Sequence, residues 1–295
     1  MKNLKLMALI LGSASILISC EEDTTNENNV NNASLRLELT GLENLGEGFI
    51  YENWIIVDGK AVTAGTFNVS SAGELSQTSF AVDAAQLAAA STYVLTIEPS
   101  PDPDPSPSKV HILAGDFAAG LANVSIGHPA ALADDFSQAS GQYILATPTD
   151  GAMNSDESSG VWWLDPSGPS ATLNLPTLPE GWLYEGWAVI NGVPISTGTF
   201  ASVTGSDNSA IYSGSVAGPP FPGEDFLINA PAGLSFPLDL SGANVVISVE
   251  PFPDNSPAPF TLKPLVAQVP NSAMTHTLLG MDNNAMSSPT GLVRR

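Results

Sequence analysis

GFIYENWIIVDGKAVTAGTF, residues 48–67, and GWLYEGWAVINGVPISTGTF, residues 181–200, are two copies of one twenty-residue block. They align without a gap, and eight of the twenty positions are identical. Self-similarity of this kind is typical of one structural unit that is used twice. The sequence therefore predicts two related domains in tandem.

Both copies read as β-hairpins with a tight turn. Asp58-Gly59 and Asn191-Gly192 are dipeptides that favour a two-residue type I′ turn, because both central residues need positive φ. Such a turn also fixes which residues face each other across the hairpin. The predicted facing pairs are Trp54–Thr63 and Glu52–Gly65 in the first copy, and Trp187–Ser196 and Glu185–Gly198 in the second.

Each predicted hairpin carries a carboxylate among apolar neighbours. Strand alternation places Glu52 beside Trp54, and Glu185 beside Trp187, on one face of the strand. A buried carboxylate is costly unless it is paired or hydrogen-bonded. Two interpretations stay open: a structural carboxylate that accepts hydrogen bonds from loop amides or a hydroxyl, and a ligand or cation site beside the tryptophans. We take these four residues as the candidate structural or ligand positions.

The rest of the sequence predicts an all-β protein. Short runs of strand-forming residues alternate with Gly, Pro, Asn and Asp, which is typical of β-sandwiches. We expect two tandem related β-sandwich domains, at residues 34–132 and 141–282, and a loose tail at 283–295. The one predicted helix spans residues 83–90, with Asp83 as its N-cap.

The first twenty residues indicate a lipoprotein signal. An apolar stretch follows Lys2 and Lys5, and Leu17-Ile18-Ser19-Cys20 resembles the lipobox of bacterial lipoproteins. Residues 1–19 are then the signal peptide, and residues 20–33 are the lipidated cysteine with a flexible tether. We expect acylated Cys20 to hold the protein in the outer membrane of a Gram-negative cell, on the periplasmic side or on the cell surface.

The charge of the chain is strongly acidic. Thirty acidic residues stand against eight basic ones, a net charge of −22, which becomes about −24 once Lys2 and Lys5 are removed with the signal. Such a surface repels nucleic acid, so we expect no nucleic-acid partner. Cys20 is the only cysteine, which excludes disulfides and any other catalytic or zinc-binding thiol.

Few residues suggest catalysis or metal binding. No catalytic or phosphate-binding motif is recognisable, and the three histidines are not at metal-ligand spacing. Each half carries a Glu-Pro-x-Pro-Asp loop, starting at Glu98 and at Glu250, whose carboxylates offer oxygens suited to Ca²⁺ but lack the spacing of a known calcium loop. We therefore predict stiff surface loops, no catalytic, cofactor-binding or metal-binding residue, no cofactor and no enzyme activity.

The order of these motifs resembles the extracytoplasmic, C-terminal domain of the anti-sigma-K factor family. The matching residues are Tyr51-Glu52, Trp54, Gly59, Gly65-Thr66-Phe67 and Glu98-Pro99 in the first copy, and Tyr184-Glu185, Trp187, Gly192, Gly198-Thr199-Phe200 and Glu250-Pro251 in the second. The resemblance implies a duplicated β-sandwich outside the cytoplasm. Family members that regulate transcription have a cytoplasmic sigma-binding segment and a transmembrane helix, which we do not find here. Anti-sigma activity is therefore not carried over.

Three functional hypotheses follow. The first is a non-catalytic, lipid-anchored envelope lipoprotein that binds or senses through protein contacts. The second is a surface carbohydrate-binding lipoprotein that supports polysaccharide uptake, with Trp162, Trp163 or Trp182 as sugar platforms. The third is a structural or adhesive spacer stiffened by Ca²⁺.

Overall fold

The regular structure of the protein is almost entirely antiparallel β-sheet, as the sequence predicts. The computed structural model describes residues 31–151, 155–254 and 256–295. In this part of the chain, no helix has the length and apolar character needed to cross a membrane.

The first half of the chain forms most of one eight-stranded sheet. Its elements are β1 (Asn32–Thr40), β2 (Phe49–Val57), β3 (Lys60–Phe67), β4 (Ser79–Asp83), α1 (Ala84–Ala89), β5 (Thr92–Pro99), β6 (His111–Asp116) and β7 (Leu121–Ser125). The predicted helix is present as α1. The Asp83 side chain accepts hydrogen bonds from the backbone N–H groups of Ala85 and Gln86, at 3.0 and 2.9 Å, which is the expected N-cap.

The second half forms two larger sheets and one short ribbon. Its strands are β8 (Gln142–Leu145), β9 (Gly160–Trp162), β10 (Leu164–Asp165), β11 (Ser170–Ala171), β12 (Trp182–Ile190), β13 (Val193–Phe200), β14 (Gly223–Asp225), β15 (Asn244–Pro251), β16 (Leu265–Gln268), β17 (Leu279–Gly280), β18 (Asp282–Asn283) and β19 (Thr290–Arg294), with 3-10 helices at Glu157–Ser159 and Ala285–Ser287. The sheet orders are β13-β12-β15-β16-β18 and β14-β9-β8-β17, and β10 pairs with β11.

The two sequence blocks form equivalent hairpins. Asp58 and Gly59 have φ values of 49° and 74°, and Asn191 and Gly192 have values of 50° and 83°. These positive values are those of the predicted type I′ turn. In each half the hairpin pairs next with the strand that leads into the Glu-Pro loop: β2 with β5, and β12 with β15.

The core lies between β-layers and runs through both halves. Leu35, Leu37 and Leu39 alternate along β1 and are buried together with residues of β2 and β5. Strands β6 and β7 pair through a single residue pair, Ala114–Ser125. The same buried cluster contains residues of the second half. Phe136, in the joint between the halves, is 1 % exposed and packs edge-on against Tyr184, with 6.5 Å between the two ring centroids.

The predicted loose tail is wrong, because the last residues of the sequence complete the first sheet. Strand β19 lies between β1 and β7 and pairs with both through five residues each. Its Val293 is fully buried. The Arg295 guanidinium donates to the carbonyl oxygens of Leu87, Ala88 and Ala90 at the end of α1.

Deletion of residues 289–295 tests the structural importance of β19. The deletion exposes the edges of β1 and β7 and the core beneath Val293, so we expect the melting temperature to fall by roughly 10 °C or more. Arg294→Ala is the matched control, since its ion pair with Glu38 is exposed and contributes at most about 1 kcal/mol. Equal melting temperatures for the deletion and the intact chain would contradict this role.

Candidate functional site

A β-bulge in each hairpin changes the predicted partners of the two glutamates. The facing pairs Trp54–Thr63 and Trp187–Ser196 are as predicted. Beyond them, Glu52 lies opposite Thr66 and Glu185 opposite Thr199, so the predicted pairing of these glutamates with glycines is wrong.

The cause of the shift is one extra residue in the returning strand. Ala64 and Thr197 have no facing partner, and the next residues, Gly65 and Gly198, have φ values of 103° and 117°. Glycine adopts such values without the clash that a Cβ would cause. The repeated Gly-Thr-Phe triplet therefore marks a bulge that a strict two-residue register does not include.

A hydroxyl across the bulge binds each glutamate. The Oγ1 of Thr63 donates to Glu52, and the Oγ of Ser196 donates to Glu185. Each hydroxyl also accepts a backbone N–H, from Gly65 at 3.3 Å and from Gly198 at 3.0 Å. Glu52 is half-buried, whereas Glu185 is 5 % exposed.

The two tryptophans belong to a second repeated arrangement, which we call the Trp–hydroxyl–Glu network. In the first half it consists of Trp54, Thr96 and Glu98: the indole N–H donates to Thr96 Oγ1 at 2.9 Å, and that hydroxyl donates to Glu98 Oε1.

In the second half the same network consists of Trp187, Ser248 and Glu250. The indole N–H donates to Ser248 Oγ at 2.7 Å, and the hydroxyl donates to Glu250 Oε1. Sequence reasoning missed Thr96 and Ser248. The signal was a hydroxyl residue two positions before the glutamate of each Glu-Pro motif, which strand alternation places on the same face.

The two networks differ at the second carboxylate oxygen. The backbone N–H of Ser108 donates to both oxygens of Glu98, at 2.9 and 3.1 Å. In the second half, the N–H of Phe260 donates only to Oε1 of Glu250, at 2.9 Å. Among the described residues, Oε2 of Glu250 and Oε2 of Glu185 are buried side-chain oxygens without a hydrogen-bond partner.

The structure brings these two glutamates together with Asp254 of the Glu-Pro loop. One carboxylate oxygen from each of the three residues lies within 4.8 Å of the others. Asp254 also borders a cavity of about 310 Å³, whose lining residues come from both halves and include Glu43, Phe49 and Ile97 of the first and Pro251, Pro253 and Phe260 of the second.

Burial makes the two glutamates of this cluster reluctant to ionise. Desolvation raises the pKa of Glu185 to about 7, an effect that the Ser196 hydroxyl opposes and the charge of Asp254 strengthens. Desolvation raises the pKa of Glu250 to about 8, although Ser248 and the Phe260 amide favour its charged form. Nearby, burial raises the pKa of Asp207 to about 7, to which the charges of Glu224 and Glu185 contribute.

Two further buried acids, Glu224 and Asp225 on β14, were not predicted as site residues. Asp225 accepts hydrogen bonds from the Trp162 indole at 2.6 Å and from the Thr149 backbone at 2.7 Å. Glu224 accepts one from the Ser213 hydroxyl. These partners hold the loops around β14 in place. No spacing in the sequence distinguishes the two acids from the many exposed ones.

The predicted sugar platforms are wrong. Trp162, Trp163 and Trp182 are 4 %, 0 % and 4 % exposed, so none presents a ring to solvent. Adjacent strand residues do point to opposite faces, but Trp162 lies under Phe221 in a small second core while Trp163 lies in the main one. The carbohydrate-binding hypothesis thereby loses the residues on which it rested.

The predicted lipidation site, Cys20, lies outside the described residues, as do the signal peptide and most of the tether.

The three histidines have separate contacts: His111 with the Ala130 carbonyl at 2.8 Å, His128 with Asp116 at 3.5 Å, and His276 with Glu157 at 3.3 Å.

Glu250→Gln tests how much folding stability the buried charge of this carboxylate removes. The folded state raises the pKa of Glu250 from 4.5 to about 8, so it binds the proton more tightly than the unfolded chain does. The wild type therefore loses stability as pH rises from about 4.5 to about 8, and the uncharged variant does not. In a chelating buffer we expect similar melting temperatures near pH 4.5 and a variant more stable by roughly 5 °C at pH 8.5.

The matched control is Glu47→Gln, which removes an exposed carboxylate and should leave the pH dependence of the melting temperature unchanged. Superimposable melting curves of wild type and Glu250→Gln at every pH would contradict a costly burial.

Comparison with known proteins connects the first half to one family. Residues 26–109 match the model of the C-terminal part of the anti-sigma-K factor RskA. No significant match was found among curated proteins, and none among solved structures. The matched stretch contains the first hairpin and the whole of the first Trp–hydroxyl–Glu network. This stretch therefore resembles the C-terminal domain of anti-sigma-K factors, which suggests a regulatory or sensing module.

Proposed function

We propose that this chain is a non-catalytic, lipid-anchored lipoprotein of a Gram-negative envelope whose two repeats bind or sense through protein contacts. The observation that carries the proposal is the match of residues 26–109 to the C-terminal part of an anti-sigma-K factor. The resemblance implies a domain outside the cytoplasm, and the lipobox-like sequence ending at Cys20 supports an anchor on that side of the membrane.

The second half, in this proposal, is another copy of the same module. Equivalent bulges, equivalent Trp–hydroxyl–Glu networks and the stacked pairs Tyr51–Phe67 and Tyr184–Phe200 support it. In both halves the tyrosine hydroxyl donates to a carbonyl eight residues earlier, that of Glu43 or of Pro176. Such agreement in detail is typical of duplication.

The partner surface that we propose lies on the segment between β13 and β15, residues 201–243. Three large apolar side chains of this segment are exposed: Ile211 by 58 %, Val216 by 48 % and Ile228 by 49 %. Ile211 and Ile228 lie close together, since the Asn229 side chain donates to the Ile211 carbonyl at 2.7 Å. Grouped exposed apolar residues are typical of protein-binding surfaces. The corresponding segment of the first half, residues 68–91, is shorter.

A photo-crosslinking residue in place of Ile211 or Ile228 tests the surface in intact cells. We expect a discrete crosslinked protein band, because a specific partner covers both positions. The control is the same residue at Val193, which is 44 % exposed at the start of β13, outside this segment, and should give no such band. Identical patterns at all three positions, or no discrete band at any, would contradict protein binding through this segment.

Cys20→Ser tests the anchor. The acylated protein should sediment with membranes and label with a fatty-acid probe, because several acyl chains give stable attachment. We expect the variant to lose the label and to move to the soluble fraction. Label and membrane attachment that persist in Cys20→Ser would refute lipidation at this cysteine.

A further inference from the structure

We propose that Glu185, Glu250 and Asp254 form a calcium site in the second half of the protein. The sequence predicted no metal-binding residue, because the Glu-Pro loop that carries Glu250 and Asp254 lacks the spacing of a known calcium loop and Glu185 lies on a distant strand. The bulge of the hairpin brings Glu185, the end of β15 brings Glu250, and the Glu-Pro loop brings Asp254.

Two unpartnered oxygens point to a missing ligand. Oε2 of Glu185 and Oε2 of Glu250 have no hydrogen-bond partner, although the two residues are 5 % and 1 % exposed. A buried carboxylate oxygen without a donor costs free energy, and a second carboxylate nearby increases that cost. A bound cation removes both penalties at once, since both oxygens coordinate it and its charge offsets their repulsion.

The chemistry of the site selects the cation. All three ligands are carboxylate oxygens, which suit hard cations. One oxygen from each lies within 4.8 Å of the others. Two Ca–O bonds of about 2.4 Å can bridge distances up to that limit. Three carboxylate ligands favour Ca²⁺ over Mg²⁺, because Mg²⁺ usually keeps several of its water molecules and binds only one or two carboxylates.

A cavity borders the loop aspartate, and three further charged groups interact with the cluster. The cavity of about 310 Å³ is lined by Asp254 but not by the two glutamates, so water molecules that complete a coordination shell of six to eight oxygens would approach from the Asp254 side. The further charged groups are Asp207, which interacts with Glu185, Lys263, which interacts with Glu250, and Glu43, which interacts with Asp254. Lys263 also interacts with Glu43 at the cavity, so its charge is shared between two acids.

The first half contains the same three acids without the same arrangement. Glu52, Glu98 and Asp102 correspond to Glu185, Glu250 and Asp254. There the Ser108 amide donates to both oxygens of Glu98, and Glu52 is half-buried. In residues 31–151, the structure gathers no such trio of carboxylate oxygens. We therefore expect calcium in the second half only, and Glu98→Gln becomes a matched control.

Calorimetric titration of the full chain with CaCl₂ at pH 8, in detergent, tests the proposal. We expect one saturable site with a dissociation constant in the range of about 10⁻⁵–10⁻³ M. Glu250→Gln and Asp254→Asn should each weaken binding about tenfold or more, because each removes one of three charged ligands. Glu98→Gln should leave the affinity unchanged.

Terbium(III) luminescence gives a second measurement at the site itself. Trp187 is linked through Ser248 to Glu250, so light absorbed by its indole should sensitise a bound ion. Calcium should quench this signal by competition, and Asp254→Asn should reduce it even if Glu250→Gln does not fold.

Three results would overturn the proposal. One is no saturable calcium binding up to about 10 mM, which would leave Glu185 and Glu250 as a pair that shares a proton. Another is equal weakening by Glu98→Gln and Glu250→Gln, which would mean diffuse attraction of calcium to an acidic protein. The last is binding of MgCl₂ at least as tight as that of CaCl₂.

Discussion

A carboxylate at the end of a buried strand must receive hydrogen bonds, and both halves of this protein meet that need with the same side chains. Glu98 and Glu250 are each 1 % exposed, and each accepts a hydrogen bond from a hydroxyl that in turn accepts one from a tryptophan indole. The backbone amides of Ser108 and Phe260 then tie the far end of each Glu-Pro loop to its carboxylate. The position of the loop, and hence of everything at that end of the sheet, depends on this network.

The two halves differ in how a loop backbone amide binds the buried glutamate. Where Ser108 binds both oxygens of Glu98, the acid has its hydrogen bonds and serves as a fixed support. Where Phe260 binds only one oxygen of Glu250, the second oxygen is left facing Glu185 and the loop aspartate. The same network thus serves as a support in the first half and leaves a carboxylate oxygen without a hydrogen-bond donor in the second.

The sequence predicted the all-β fold, the type I′ turns and the helix N-cap, because each depends on local patterns of a few residues. It paired Trp54 with Thr63 and Trp187 with Ser196 correctly, and it failed beyond them, where the bulge depends on the positive φ of Gly65 and Gly198. It also failed for residues 290–294, a short run whose strand forms only between β1 and β7. The cluster of Glu185, Glu250 and Asp254 could not be predicted. It depends on which carboxylate oxygens accept hydrogen bonds from loop backbone N–H groups, and no sequence pattern indicates that.

The central claim is that hydroxyl and carboxylate act together in each Trp–hydroxyl–Glu network, and a double-mutant cycle measures it directly. Ser248→Ala, Glu250→Gln and the double variant would be unfolded in denaturant at pH 8 without calcium, with Thr96→Val and Glu98→Gln as the parallel cycle. Because the hydroxyl stabilises the buried charge, we expect a coupling free energy of about 1–2 kcal/mol in both halves. Effects that add to within about 0.5 kcal/mol would show that the two groups act independently, and the account would fail.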